Sequence, residues 1–129
     1  MNMKAVLAII VYFIMSFSPP HAGEPWSFDH WTTAQKVSYA TSITAGIIDW
    51  GQTRTIAENH HLYKELNPLI GKKPSVGRVN THFALLTAVH VIAPHYSDFY
   101  RRYIMHIQAV GLTLNIARNH FEVGLRMSW

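Results

Sequence analysis

Cysteine is missing altogether, and with it go disulfide frameworks, thiolate zinc sites and cysteine nucleophiles. Charge is scarce: 14% of the residues are Asp, Glu, Lys or Arg, against roughly 25% in an average soluble domain. The chain holds no G-x-S-x-G or S-x-x-K serine motif, and no Walker or G-x-G-x-x-G loop to cradle a phosphate. Apolar and polar residues never alternate for more than a few positions, so no strand is expected. No internal period is visible, which excludes a solenoid.

What is present is hydrophobic bulk, 49% of 129 residues, enough for one core and incompatible with intrinsic disorder. The net charge is +4 and the pI about 9.6. The cations form no stripe interleaved with aromatics, so nucleic acid is not expected as a partner. Anionic lipid headgroups suit Lys72, Lys73 and Arg78 better.

The first twenty residues read MNMKAVLAIIVYFIMSFSPP, with a cation at Lys4 and an unbroken apolar run over residues 5–15. This is the pattern of an export signal. Pro19 and Pro20 end its helix and Ala22 offers a small residue for cleavage, although Pro20 fits the A-x-A rule poorly. The expected organisation is therefore a signal peptide or uncleaved signal anchor over residues 1–22 and one helical domain over residues 23–129, delivered outside the cytoplasm.

Three apolar blocks follow, each long enough for a helix. The first, residues 33–57, begins at the cap-like Thr32-Thr33 and carries Val37, Ala40, Thr44, Ile47 and Ile48 at helical spacing. Its small residues Ala40, Ser42, Ala45 and Gly46 invite close approach of a neighbour. The second, residues 76–93, is expected to stop at Pro94. The third spans about residues 99–125. Asn-Pro, Gly-Lys-Lys-Pro and Val-Gly steps mark the connection between the first two as an ordered loop. The fold class expected is all-α: a small bundle of three main helices after an N-terminal signal or anchor helix.

Each block carries Asp, Asn, Gln or His near its middle, so hydropathy leaves two settings open, an inner-membrane bundle and a soluble periplasmic one. Charge placement favours the membrane, because Arg54, Lys64, Lys72, Lys73 and Arg78 gather in the connection that would return to the cytoplasm. Arg101 and Arg102, which would then lie outside, argue against it. Trp31, Trp50, Tyr96, Tyr100, Tyr103 and Trp129 suit interfacial belts in the first setting and core or rim positions in the second.

Asp49, Gln52 and Thr53 stand at i, i+3 and i+4 and would form one polar patch. A buried carboxylate needs company, and the partners considered are Arg54, His60, His82, Asn115 and Arg118. The patch reads either as a structural clasp or, in a membrane, as a functional site. The second dense feature is Glu65-Leu66-Asn67-Pro68-Leu69-Ile70-Gly71, a rigid turn in which Asn67 bonds its own backbone and Gly71 permits a left-handed φ. Glu65 reads more readily as a cap or an ion-pair partner than as a catalyst.

Asp49-Trp50-Gly51-Gln52-Thr53, the Glu65-x-Asn67-Pro68-Leu69-Ile70-Gly71 turn with Pro74 and Arg78, and the later Asn115 resemble a group of small exported or membrane proteins of bacteria and their phages. That group shares an Asp-x-x-x-Thr helix followed by a Glu-x-Asn-Pro turn, and the likeness covers about residues 40–124. It implies a short helical membrane or envelope protein and brings no activity or cofactor with it.

Nine histidines are many for this length, yet no H-x-x-x-H or H-E-x-x-H occurs. A metal set of His82, His90 and Asp49, with Glu65 added, is conceivable only by convergence of separate helices; the favoured reading has no metal or cofactor and places most rings at helix ends or in local hydrogen bonds. Two functions remain in view. The first is a non-enzymatic inner-membrane bundle acting through helix contacts with itself or another envelope protein, with Asp49, Gln52, Thr53, Glu65, Asn67 and Asn115 as its polar cluster. The second is a small periplasmic hydrolase or metal-binding protein built on Asp49, Glu65 and histidines.

Overall fold

A computed structural model describes residues 26–63 and 69–124 together with Met127 and Trp129. The leader, Glu65 and Asn67 lie outside the described residues.

Helix α1, Thr33–Glu58, is started by a capping box: the Thr32 hydroxyl accepts from the Gln35 amide and the Gln35 side chain accepts from the Thr32 amide, so two orphan donors of the first turn are satisfied. Helix α2, Val76–Tyr96, is capped by the Ser75 hydroxyl, which accepts from Arg78 N–H. Before it, Gly71 takes φ 86°, the left-handed value expected of that turn. A single π-helical turn, Tyr100–Ile104, leads into helix α3, Met105–Val123, which ends where Gly124 adopts φ 64°. The described residues contain no strand, and the fold is an all-helical three-helix bundle.

Pro94 does not end α2. The helix runs two residues further because the ring costs only one backbone bond so near the terminus, and the Pro94 carbonyl is taken by Arg101 Nη1 at 3.1 Å.

Chain direction gives the bundle two ends. Trp31, Ala93, Tyr100 and Met105 form a buried cluster at the end where α1 begins, α2 finishes and the π turn lies. Ala57, Ile70, Val79 and Phe83 form a second cluster at the other end. Between them α1 presents Ser42, Asp49, Gln52 and Thr53, all buried, so the middle of the α1–α3 seam is polar.

This arrangement bears on three expectations. Among the described residues no helix is long and apolar enough to cross a membrane, because polar side chains interrupt each apolar stretch, and the three-span topology drawn from charge placement is not supported by these helices. Of the two placements considered for the aromatic residues, Trp31 and Tyr100 take the core one. Arg101 is not a loop cation: it is buried, ion-paired with Asp98, and stacked 5.5 Å over the Trp31 ring.

Candidate functional site

Helical phase decides which side chains meet. On α3 the residues that turn inward are Met105, Ala109, Asn119 and Val123, all buried and spaced by helical repeats, with Leu112 and Ile116 half-buried between them. Asn119 thus faces α1, where Asp49 is waiting. Its Nδ2 donates to Asp49 Oδ1 at 2.8 Å, and the Thr53 hydroxyl reaches the same oxygen from one turn along α1 at 3.5 Å. The expected set of Asp49 partners did not contain Asn119. Asn115 is half-buried one turn earlier, and the seam phase read through Met105 and Ala109 was the signal that would have picked Asn119.

Gln52 is fully buried, and its Nε2 donates to the Gly124 carbonyl at 3.2 Å, tying the middle of α1 to the last turn of α3. Its Oε1 has no hydrogen-bond partner among the described residues. Higher on the seam the Ser42 hydroxyl donates to the Met105 carbonyl at 3.3 Å. With Ser38, whose hydroxyl bonds His106, four polar residues of α1 therefore bond across to α3 and its C-cap. On the other flank Trp50 Nε1 donates to Asn80 Oδ1 of α2 at 3.0 Å. Arg54, considered as a partner of Asp49, stands 3.4 Å from Glu58 instead.

The histidines divide. His60 and His106 bond locally or to a neighbour, His106 Nδ1 lying 2.6 Å from the Ser38 hydroxyl. His82, His90 and His95 are buried; His95 lies in the last turn of α2 as a helix-end ring, whereas His82 and His90 sit within the helix, away from the expected end positions. Burial and the nearby Arg78 cation lower the pKa of His82, whose Nε2 has no partner among the described residues. Burial lowers His90 to about 4. Both rings are thus held neutral. No group of three or more His, Asp or Glu side chains among the described residues could hold a metal ion, so His82, His90 and Asp49 do not assemble into the metal set considered from sequence.

Outside the seam, α1 and α3 leave an open groove of about 360 Å³ lined by Ala40, Thr41, Thr44, Ala45 and Ile48 on α1 and by Thr113 and Ile116 on α3. On a different side of α3, turned by about 100° or more from Thr113 and Ile116, Ile107, Val110 and Leu114 form an exposed apolar strip, which Arg118 interrupts before Phe121.

Compared with protein-family models, curated proteins and solved structures, the chain matches none.

Proposed function

We propose that this is a small, non-enzymatic cell-envelope protein that works by helix-to-helix association, its first partner being a second copy of itself. The observation that carries the reading is that the molecule leaves uncovered both an apolar strip on α3 and, on another side, a groove floored by small side chains. Large side chains at 107, 110 and 114 on one copy fit a channel floored by Ala40, Thr44 and Ala45 on the next.

Seating the strip in the groove would remove apolar area from water on both copies, which is the driving force such an interface needs. Asp49, Gln52 and Asn119 then serve as the internal clasp that keeps the α1–α3 face rigid, which is the structural reading of that cluster. Export to the envelope is supported by the apolar run at residues 5–15 behind Lys4.

Because the chain has no cysteine, Val110→Cys creates a unique thiol. Oxidised in mild detergent with an equal amount of full chain carrying Thr41→Cys instead, it should give a mixed disulfide that joins the strip of one copy to the groove of the other. Adding Thr44→Trp, which fills the groove, should abolish it without loss of helicity. A crosslink that survives the filled groove, or a full chain that stays monomeric at all concentrations, refutes the reading.

A further inference from the structure

Well-exposed aromatic rings are unevenly placed. Among the described residues, Phe121 and Trp129 belong to the far end of the bundle, whereas Trp26, Phe28, Tyr96, Phe99 and Tyr103 all belong to the end that holds the Trp31–Tyr100 cluster. Trp26 is 52% exposed and Tyr103 57%.

These rings are not loose. Trp26 packs 4.6 Å from the buried His95 ring and 6.0 Å from Tyr96. Phe28 lies 5.2 Å from the same histidine, and Phe99 lies 5.4 Å from Tyr103. The surface is therefore held in shape before anything binds it, at a standing cost in hydrated apolar area.

Its charge points the same way. Arg102 is exposed in the π turn among these rings and the neighbouring acid Asp98 is ion-paired with Arg101, while the exposed Asp29 carboxylate is offset by Lys36 in the first turn of α1. From Phe99 to Phe121 the sequence contains three arginines and no Asp or Glu. The chain also enters the bundle here: Trp26 is eleven residues from Met15, the last of the apolar run at 5–15, so at full extension that run stays within about 40 Å of this end.

We propose that this end of the bundle docks on the bilayer interface, with Trp26, Tyr96, Phe99 and Tyr103 in the headgroup layer and Arg102 against anionic headgroups. Rings with an apolar body and a polar edge suit that layer, and a cation beside them adds attraction to phosphate. The docking surface is separate from the strip and groove. It rests on the export reading only for the presence of a membrane, which the test below supplies directly.

The full chain is reconstituted with mixed phosphatidylcholine and phosphatidylglycerol vesicles, carrying one environment-sensitive fluorophore at Tyr103→Cys or, at the opposite end, at Lys73→Cys. Headgroup-depth spin-labelled lipid should quench the first probe about threefold more than the second. Arg102→Glu should reduce that difference, and Tyr96→Ser with Phe99→Ser should erase it while helicity is unchanged. Phe99→Cys serves as a second reporter should the Tyr103 substitution disturb the turn. Equal quenching at both ends, stronger quenching at position 73, or a chain that ignores the vesicles overturns the proposal; the self-association reading survives each of these results, since its crosslink needs no vesicle.

Discussion

Asp49 and Asn119, seventy positions apart in sequence, meet at 2.8 Å in the buried seam between α1 and α3. An amide opposite a carboxylate gives the acid a strong donor without burying a second charge, which is the less costly of the ways to keep an acid inside a small bundle.

Removing the donor should therefore cost more than neutralising the acid. Asn119→Ala strips a hydrogen bond from a buried carboxylate and is expected to lose about 2 kcal/mol of unfolding free energy, whereas Asp49→Asn, which keeps an acceptor facing Asn119, should lose about half as much. Urea titration followed by circular dichroism measures both. Equal losses would show that the pair does not act as a clasp.

Neutral buried histidines set a pH dependence. The folded state holds His90 at about 4 and depresses His82, so the unfolded chain binds more protons than the folded one once the pH drops below about 6.5. Stability should be full above pH 6.5 and fall as the pH moves towards 4, by at most ~1.4 kcal/mol per unit for each ring. His90→Gln should flatten that slope in thermal melts across the range. A slope unchanged by the substitution would assign the acid sensitivity to carboxylates.

Two glycines of α1 should respond oppositely to the same methyl group. A Cβ on Gly46 meets nothing within 4 Å, so Gly46→Ala should gain about 0.5–1 kcal/mol from helix propensity. A Cβ on Gly51 meets Met127 Cβ at 3.0 Å and the Trp129 ring at 3.2 Å, so Gly51→Ala should lose that gain to overpacking. Matched melting temperatures for the two variants would contradict the packing described for the C-terminal residues.

Adjacent arginines should likewise differ. Arg101→Met leaves the Pro94 carbonyl and Asp98 without their cation and should cost about 3 kcal/mol; Arg102→Ala on the exposed side should cost under ~0.5. Denaturant midpoints separate them, and similar midpoints would mean that Arg101 is not the internal tie.

Much of the architecture was legible because it depends on local chemistry. Thr32 before a polar-then-apolar run and Gly71 in a turn are short-range signals, and each appears where it was expected; the Ser75 cap, three residues ahead of Arg78, is a signal of the same kind that the sequence reading passed over. Pro94 misled because a proline near a helix end forfeits a single bond, which spacing alone cannot weigh. The partner of Asp49 was missed for a different reason. Asn115, Arg118 and Asn119 lie within one turn, and only the phase of the buried face, set by Met105 and Ala109, tells them apart. The burial of Arg101 was invisible too, since its stabilisation comes from Trp31 and Pro94, which are remote or unremarkable in the sequence.

The π turn ties these observations together. Met105 N–H bonds the Tyr100 carbonyl five residues back, so the helix spends one extra residue there, and everything downstream is rotated by about 100° relative to an uninterrupted rod. Shortening the 100–104 stretch by one residue would restore regular backbone bonding and yet swing Asn119 a quarter revolution off its target, or else drag Arg101 from under Trp31. The two ends of the molecule are consequently geared to each other: a lineage cannot retune the aromatic end by insertion or deletion without disengaging the clasp some twenty-five ångströms along the same rod.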